Sequence, residues 1–141
     1  MNASLTEVIE KLAMLSATAN DQGAAMKALV SGNQLLLDIA SLSKASELAE
    51  TTEAHIELKR FLKSLNEDYV YALLTLMYSG RDKAADPVEH WKTLRITVAS
   101  KEDAIRTILE KEPRMEYIRE GIARRPRYLS LDELPGLLGE A

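Results

Sequence analysis

Residues 66–91, NEDYVYALLTLMYSGRDKAADPVEHW, constrain the fold of this chain more than any other stretch. Asn66 stands where a helix needs an N-cap, and Glu67 and Asp68 place negative charge beside the first free amides and the positive end of the helix dipole. Val70, Leu73, Leu74 and Met77 recur at three- and four-residue intervals and share one helical face. Tyr69, Leu76 and Tyr78 widen the apolar surface well past a single stripe. A helix apolar over so much of its circumference has to be surrounded, so the spacing predicts a central helix at about residues 66–79. Gly80 is the expected left-handed residue at its C-terminus, with Arg81 placed to meet the last carbonyls. Asp86, Pro87 and Glu89 then combine a capping aspartate, a proline at the first helical position and a carboxylate three residues after the cap. That pattern opens another helix, which bears Trp91.

The flanking segments are helical by the same criteria. Ser4 and Glu7 form a capping box, and Leu5, Val8, Ile9, Leu12 and Leu15 give an amphipathic helix to about residue 19. Asn20, Asp21, Gln22 and Gly23 are expected to break it, with a second short helix over residues 24–30. Residues 34–49 read as helix, and Thr51 or Thr52 caps the next one, carrying Ile56, Leu58, Phe61, Leu62 and Leu65. After Trp91, the run Leu94, Ile96, Val98 and Ala99 is expected to continue helical, and Ser100 to Asp103 restarts it. Pro113 marks a new first turn, with Met115, Ile118 and Ile122 on its stripe, and Arg124 to Arg127 end the helical body. Pro135, Gly136 and Gly139 limit any helix in the tail. The expectation is an all-α fold of six or seven helices. Its organisation is a 1–33 N-terminal helical extension, a 34–125 helical core domain and a 126–141 C-terminal interaction or docking tail, docking on this chain or on another.

At 141 residues such a chain can bury a core without disulfides or metal. The absence of cysteine removes thiolate metal sites and cysteine nucleophiles and fits a reducing compartment. No basic, apolar leader opens the sequence and no run of about 18 apolar residues occurs, so the expected location is cytoplasmic, away from membrane. The net charge of −4 hides an asymmetry. Residues 81–127 hold 12 basic and 9 acidic side chains, whereas residues 128–141 hold 3 acidic ones and no basic one.

Four stretches together resemble a known family: LKSLNED at 62–68, LLTLMYSGRD at 73–82, the tryptophan ten residues after Arg81, and ILEKEPRMEYIREGI at 108–122. They are similar to the DUF3775 family of uncharacterised bacterial proteins, in which a helix ending in a pattern like ALMWLGRGD precedes a tryptophan-bearing helix and a closing YLLGxPLLxxYLxxGL pattern. The matching positions are Leu73, Leu76, Met77, Gly80, Arg81, Asp82, Trp91, Leu109, Pro113, Tyr117, Ile118, Gly121 and Ile122. Residues 37–47, LDIASLSKASE, resemble the family's opening segment, so the similarity covers roughly residues 35–125. Tyr78 stands where the family has tryptophan, and Arg81 is followed by Asp-Lys in place of Gly-Asp. The resemblance implies a fold and, the family having no assigned activity, no catalytic residue or cofactor.

Catalytic chemistry has little to stand on. His55 and His90 are far apart, and no zinc-protease, phosphate-loop or nucleophile-elbow motif is present. Asp86 and His90 are four apart on one helix face, but the aspartate is better explained as a cap and a catalytic metal needs a third ligand. Neither a cofactor nor a metal is expected. Tyr78, Arg81, Asp82 and Trp91 form a candidate ligand or peptide groove, with Arg81 gripping a carboxylate or phosphate. Against it, an arginine near a helix C-terminus serves the dipole, and a lone tryptophan among leucines is usually core.

Arg114, Arg119, Arg124, Arg125 and Arg127 form the basic concentration, suited to an acidic partner or to nucleic-acid phosphates. Glu110, Glu112, Glu116 and Glu120 interleave with them at helical spacings, which favours a salt-bridged, solvated face. Leu131, Leu134, Leu137 and Leu138 compose the docking tail, whose acidic Asp132 and Glu133 are expected toward those arginines. The function these features favour is a non-enzymatic helical interaction or regulatory protein that self-associates through the leucine-rich face of residues 5–19. A nucleic-acid-associated protein using the arginines of 114–127 is the alternative, and a small-ligand protein or enzyme with a site near Arg81 and Trp91 is the third.

Overall fold

The computed structural model describes residues 4–32, 53–84, 86–98, 100–111 and 113–140. Among them are seven α-helices, one 3-10 turn and no strand: α1 (Leu5–Gly32), α2 (Glu53–Ser64), α3 (Glu67–Asp82), α4 (Pro87–Leu94), α5 (Lys101–Glu110), α6 (Arg114–Arg124), the 3-10 turn Leu131–Glu133 and α7 (Leu134–Glu140). The all-α expectation holds. The helix expected over residues 34–49 and the caps at Thr51 and Thr52 lie outside the described residues.

The chain forms two compact units, one of Met1–Glu10 with Leu62–Ala141 and one of Lys11–Phe61. The partition expected at 33 and 125 does not coincide with them: residues 1–10 and the tail share a unit with residues 62–125.

In the larger unit α3 is the hub. Residues 72 to 77 are buried without interruption, so the helix is enclosed on every side, and α6, α5, α7 and α4 pack against it. Leu73, Leu74 and Leu76 have no exposed surface and Met77 has 1%. Ile108 from α5, Ile118 from α6 and Leu134 from α7 complete this aliphatic core. Leu5, Val8 and Ile9 from the first turns of α1 are buried in the same unit.

The closest approach in the core is between α3 and α6. A Cβ built on Gly80 would overlap the Tyr117 carbonyl and come within 2.8 Å of the Gly121 nitrogen; one built on Gly121 would overlap the Leu76 carbonyl. This corrects the role expected of Gly80. It lies inside α3, buried, and the left-handed residue is Lys83, with φ 58° and ψ 38°. Glycine is needed at position 80 because the α6 backbone occupies the space of a side chain.

Caps read from the sequence are made where the partner is local. The Glu7 amide donates to Ser4 Oγ at 3.2 Å, Val88 and Glu89 amides to Asp86 Oδ1 at 3.0 and 3.5 Å, and the Asp103 amide to Ser100 Oγ at 3.2 Å. Asn66 holds the N-cap position of α3 with no side-chain hydrogen bond. Three other expectations are corrected. The break at residues 20–23 is absent: α1 runs unbroken, since a mid-helix glycine costs only about 1 kcal/mol. The helix of Trp91 stops at Leu94 and leaves Ile96 in an exposed turn, where the β-branched run offers little helical preference. The tail does form a helix, because Pro135 falls in the first turn of α7, where no amide hydrogen bond is required of it.

In the smaller unit, Leu12, Ser16 and Ala19 of α1 and Ala54 and Leu58 of α2 are buried. The Lys11 ammonium lies 5.0 Å from the centre of the Phe61 ring, setting α1 beside α2 at that point.

Candidate functional site

The last turn of α3 and the start of α4 bring several of the nominated residues together. Arg81 lies over Tyr78, with the guanidinium carbon 4.3 Å from the ring centre, and its Nε donates to Asp82 Oδ1 at 2.9 Å. The hydrogen bond to Asp82, working against the smaller cost of burial and aided by Tyr78 and Tyr117, holds the Arg81 guanidinium more firmly charged than usual. On the other side of the same carboxylate, Asp82 Oδ2 stands 3.3 Å from His90 Nε2. That pair is close but misaligned, so among the described residues Nε2 is buried without a hydrogen-bond partner. The Asp86–His90 pairing considered from spacing is thus replaced: Asp86 spends its oxygen on the α4 amides and His90 faces Asp82.

Trp91 does not present a wall to solvent. It is 4% exposed and stacks on Tyr71, with ring centres 4.8 Å apart and planes inclined by 28°. Of the nominated groove residues, Tyr78 and Asp82 both contact Arg81, whereas Trp91 is buried against Tyr71. Burial, then the nearby carboxylates of Glu67 and Asp68, pushes the Tyr71 hydroxyl above its usual range.

Lys111 joins this cluster without having been foreseen. It is the C-cap of α5, and its ammonium stands 5.7 Å from the centre of the Tyr78 ring that Arg81 already covers. Only the tertiary fold brings residue 111 to residue 78, so no local spacing signals it.

The arginines of 114–127 do not form one face. Arg114 is 3% exposed, inside the protein. Arg124 donates to Glu120 Oε1 at 2.8 Å and to the Lys83 carbonyl at 3.3 Å. Arg125 donates to the Leu129 and Ile122 carbonyls at 3.1 and 2.7 Å, tying the end of α6 to the start of the tail. Arg119 and Arg127 are exposed.

In the tail Leu134 and Leu138 are buried, Leu131 is half-buried and Leu137 is exposed. Of the two acidic residues expected toward the arginines, Asp132 pairs elsewhere: its Oδ1 accepts from the Thr6 amide at 3.1 Å and from Thr6 Oγ1 at 3.2 Å. A helix N-terminal amide, lacking an intrahelical acceptor, is a fixed donor for this carboxylate, and three of the five arginines are committed or buried already.

Among the described residues, no three potential metal-ligating side chains come together. Compared with family models, curated proteins and solved structures, the chain finds no match.

Proposed function

We propose that this chain is a non-enzymatic helical interaction protein that acts by self-association. The observation that carries the reading is the exposure of Met14, at 62%, and Ile56, at 46%, on the two helices of the smaller unit. Both stand off the buried stripes: Met14 falls between Leu12 and Ser16, and Ile56 between Ala54 and Leu58. Helical side chains two residues apart point in nearly opposite directions, so each helix carries an apolar contact on the side away from its own core. Two such side chains on one small helical unit are an economical start to an isologous contact. The leucine-rich face first nominated for this role is spent elsewhere, since Leu5, Val8, Ile9 and Leu12 are buried within the chain.

The dispersal of the arginines favours this reading over a nucleic-acid one. Phosphate recognition draws on several cations along one surface, and here only Arg119 and Arg127 of the five are exposed. A cytoplasmic location belongs to the same proposal; among the described residues no helix is long and apolar enough to cross a membrane. The DUF3775 resemblance over roughly residues 35–125 is carried with it as a proposal about lineage alone.

Sedimentation velocity across a concentration series tests self-association. Fluorescence anisotropy with labelled duplex and single-stranded DNA at two salt concentrations tests the rival. Saturable, strongly salt-dependent DNA binding by a protein that stays monomeric would transfer the assignment to nucleic acid.

A further inference from the structure

Two cations share the Tyr78 ring, and they come from different elements: Arg81 from the end of α3 and Lys111 from the end of α5. Both occupy helix C-termini, where positive charge offsets the dipole. The dipole accounts for a cation at each terminus. It does not account for two of them gathered at one aromatic ring, where they repel and each gains about 0.5–1 kcal/mol at an exposed site.

The donor and acceptor count at this point is unbalanced. A guanidinium offers five N–H groups and an ammonium three. Arg81 commits its Nε to Asp82, and among the described residues Lys111 has its ring contact and no ion pair. The neighbouring carboxylate is that of Asp82, which also faces His90. Arg81 and Lys111 bring two positive charges to one ring, and the carboxylate that contacts Arg81 is that of Asp82. A phosphate dianion would meet more repulsion beside Asp82 than a single carboxylate would.

Geometry points the same way. Asp82 holds the guanidinium by its Nε side and Tyr78 supports its flat face, and among the described residues the opposite, end-on pair of nitrogens makes no hydrogen bond. A planar carboxylate meets such an edge with two parallel hydrogen bonds, and a pre-oriented arginine loses little freedom in making them.

We propose that Arg81 and Lys111, mounted on Tyr78, form a receptor for one carboxylate group, either of a small organic acid or of an acidic side chain on a peptide. Arg81 makes the two-point contact and Lys111 supplies the second charge. The site lies wholly within the larger unit and is independent of Met14 and Ile56, which belong to the other.

The test is an amide chemical-shift titration of the full chain at constant ionic strength with three probes: acetate, N-acetyl-glutamate N-methylamide and inorganic phosphate. Saturable shifts confined to residues 78–82 and 111 with the carboxylates are expected. Equal affinity for acetate and the capped glutamate assigns the site to small acids, and tighter binding of the capped glutamate assigns it to peptides. Arg81→Gln and Lys111→Gln should each weaken binding roughly tenfold. Among the described residues Lys111 makes no ion pair, so Lys111→Gln keeps the test decisive should Arg81→Gln fail to fold. No saturable shift, unchanged affinity in Lys111→Gln, or phosphate binding tighter than both carboxylates would overturn the proposal.

Discussion

Gly80 and Gly121 each occupy the place where the other's helix passes closest, so α3 and α6 meet backbone against backbone. A Cβ on Gly80 would lie 2.7 Å from the Tyr117 carbonyl carbon, and one on Gly121 would lie 2.8 Å from that of Leu76. Real side-chain carbons do not approach a backbone so closely, and a backbone cannot swing aside as a side-chain tip can. Each glycine therefore sets the separation of the two helices that build most of the core.

Gly80→Ala and Gly121→Ala should each cost at least about 2 kcal/mol in denaturant unfolding, although alanine is the better helix former. Gly136 supplies the control. A Cβ there meets nothing within 4 Å, and the residue is exposed in α7, so Gly136→Ala should be neutral or stabilise by about 0.5–1 kcal/mol.

Leu74 is fully buried at the centre of α3. Leu74→Ala should cost about 2–5 kcal/mol by the same titration, the sum of lost transfer energy and the cavity left behind. A loss below about 1 kcal/mol would remove α3 from the centre of the core.

The tail should be held in cis by burial and oriented by one clasp. Leu134→Asp places a charge at a site with no exposed surface and should destabilise the isolated protein by more than about 3 kcal/mol. Asp132→Ala removes the acceptor of the Thr6 amide and should cost about 1 kcal/mol, as loss of a helix cap does. Hydrogen exchange should then quicken at Thr6 and in residues 134–138, with residues 72–77 unaffected.

Tyr71 links stability to alkaline pH. Its hydroxyl is pushed above 10.0 in the folded chain, first by burial and then by Glu67 and Asp68, so the folded state holds this proton more tightly than the unfolded state. The contribution is intact below the unfolded value of 10.0 and is lost as pH rises through the folded value. Thermal unfolding at pH 9 and 11 should show a larger loss of stability in the native chain than in Tyr71→Phe.

How much of this was legible in the sequence follows from how local each cause is. Caps at Ser4, Asp86 and Ser100 are bonds between residues two or three apart, and the buried stripe of α3 is a periodicity, so both could be read directly. Gly80 was visible as a glycine, but whether it serves a left-handed turn or a close crossing depends on Gly121, which only the fold brings near. The pairing of Lys111 with Tyr78, and of Asp132 with Thr6, is tertiary in the same way. The helix signal of α1 outweighed the Asn-Asp-Gln-Gly interruption because one weak residue in a long helix is tolerated. Arg114 shows the converse, since its residue type suggested a surface role and burial assigned it to the interior, whereas Trp91 went to the core that a lone tryptophan among leucines usually occupies.

The central functional claim is that Met14 and Ile56 form a contact between copies of the chain. Sedimentation velocity from low to high micromolar concentration, on the native protein and on Met14→Glu with Ile56→Glu, tests it most directly. The account predicts a concentration-dependent shift from monomer to a larger species in the native chain, abolished by the charged pair while helicity and thermal midpoint are preserved. A native chain that stays monomeric at high micromolar concentration, or an assembly that the double substitution leaves intact, would contradict it.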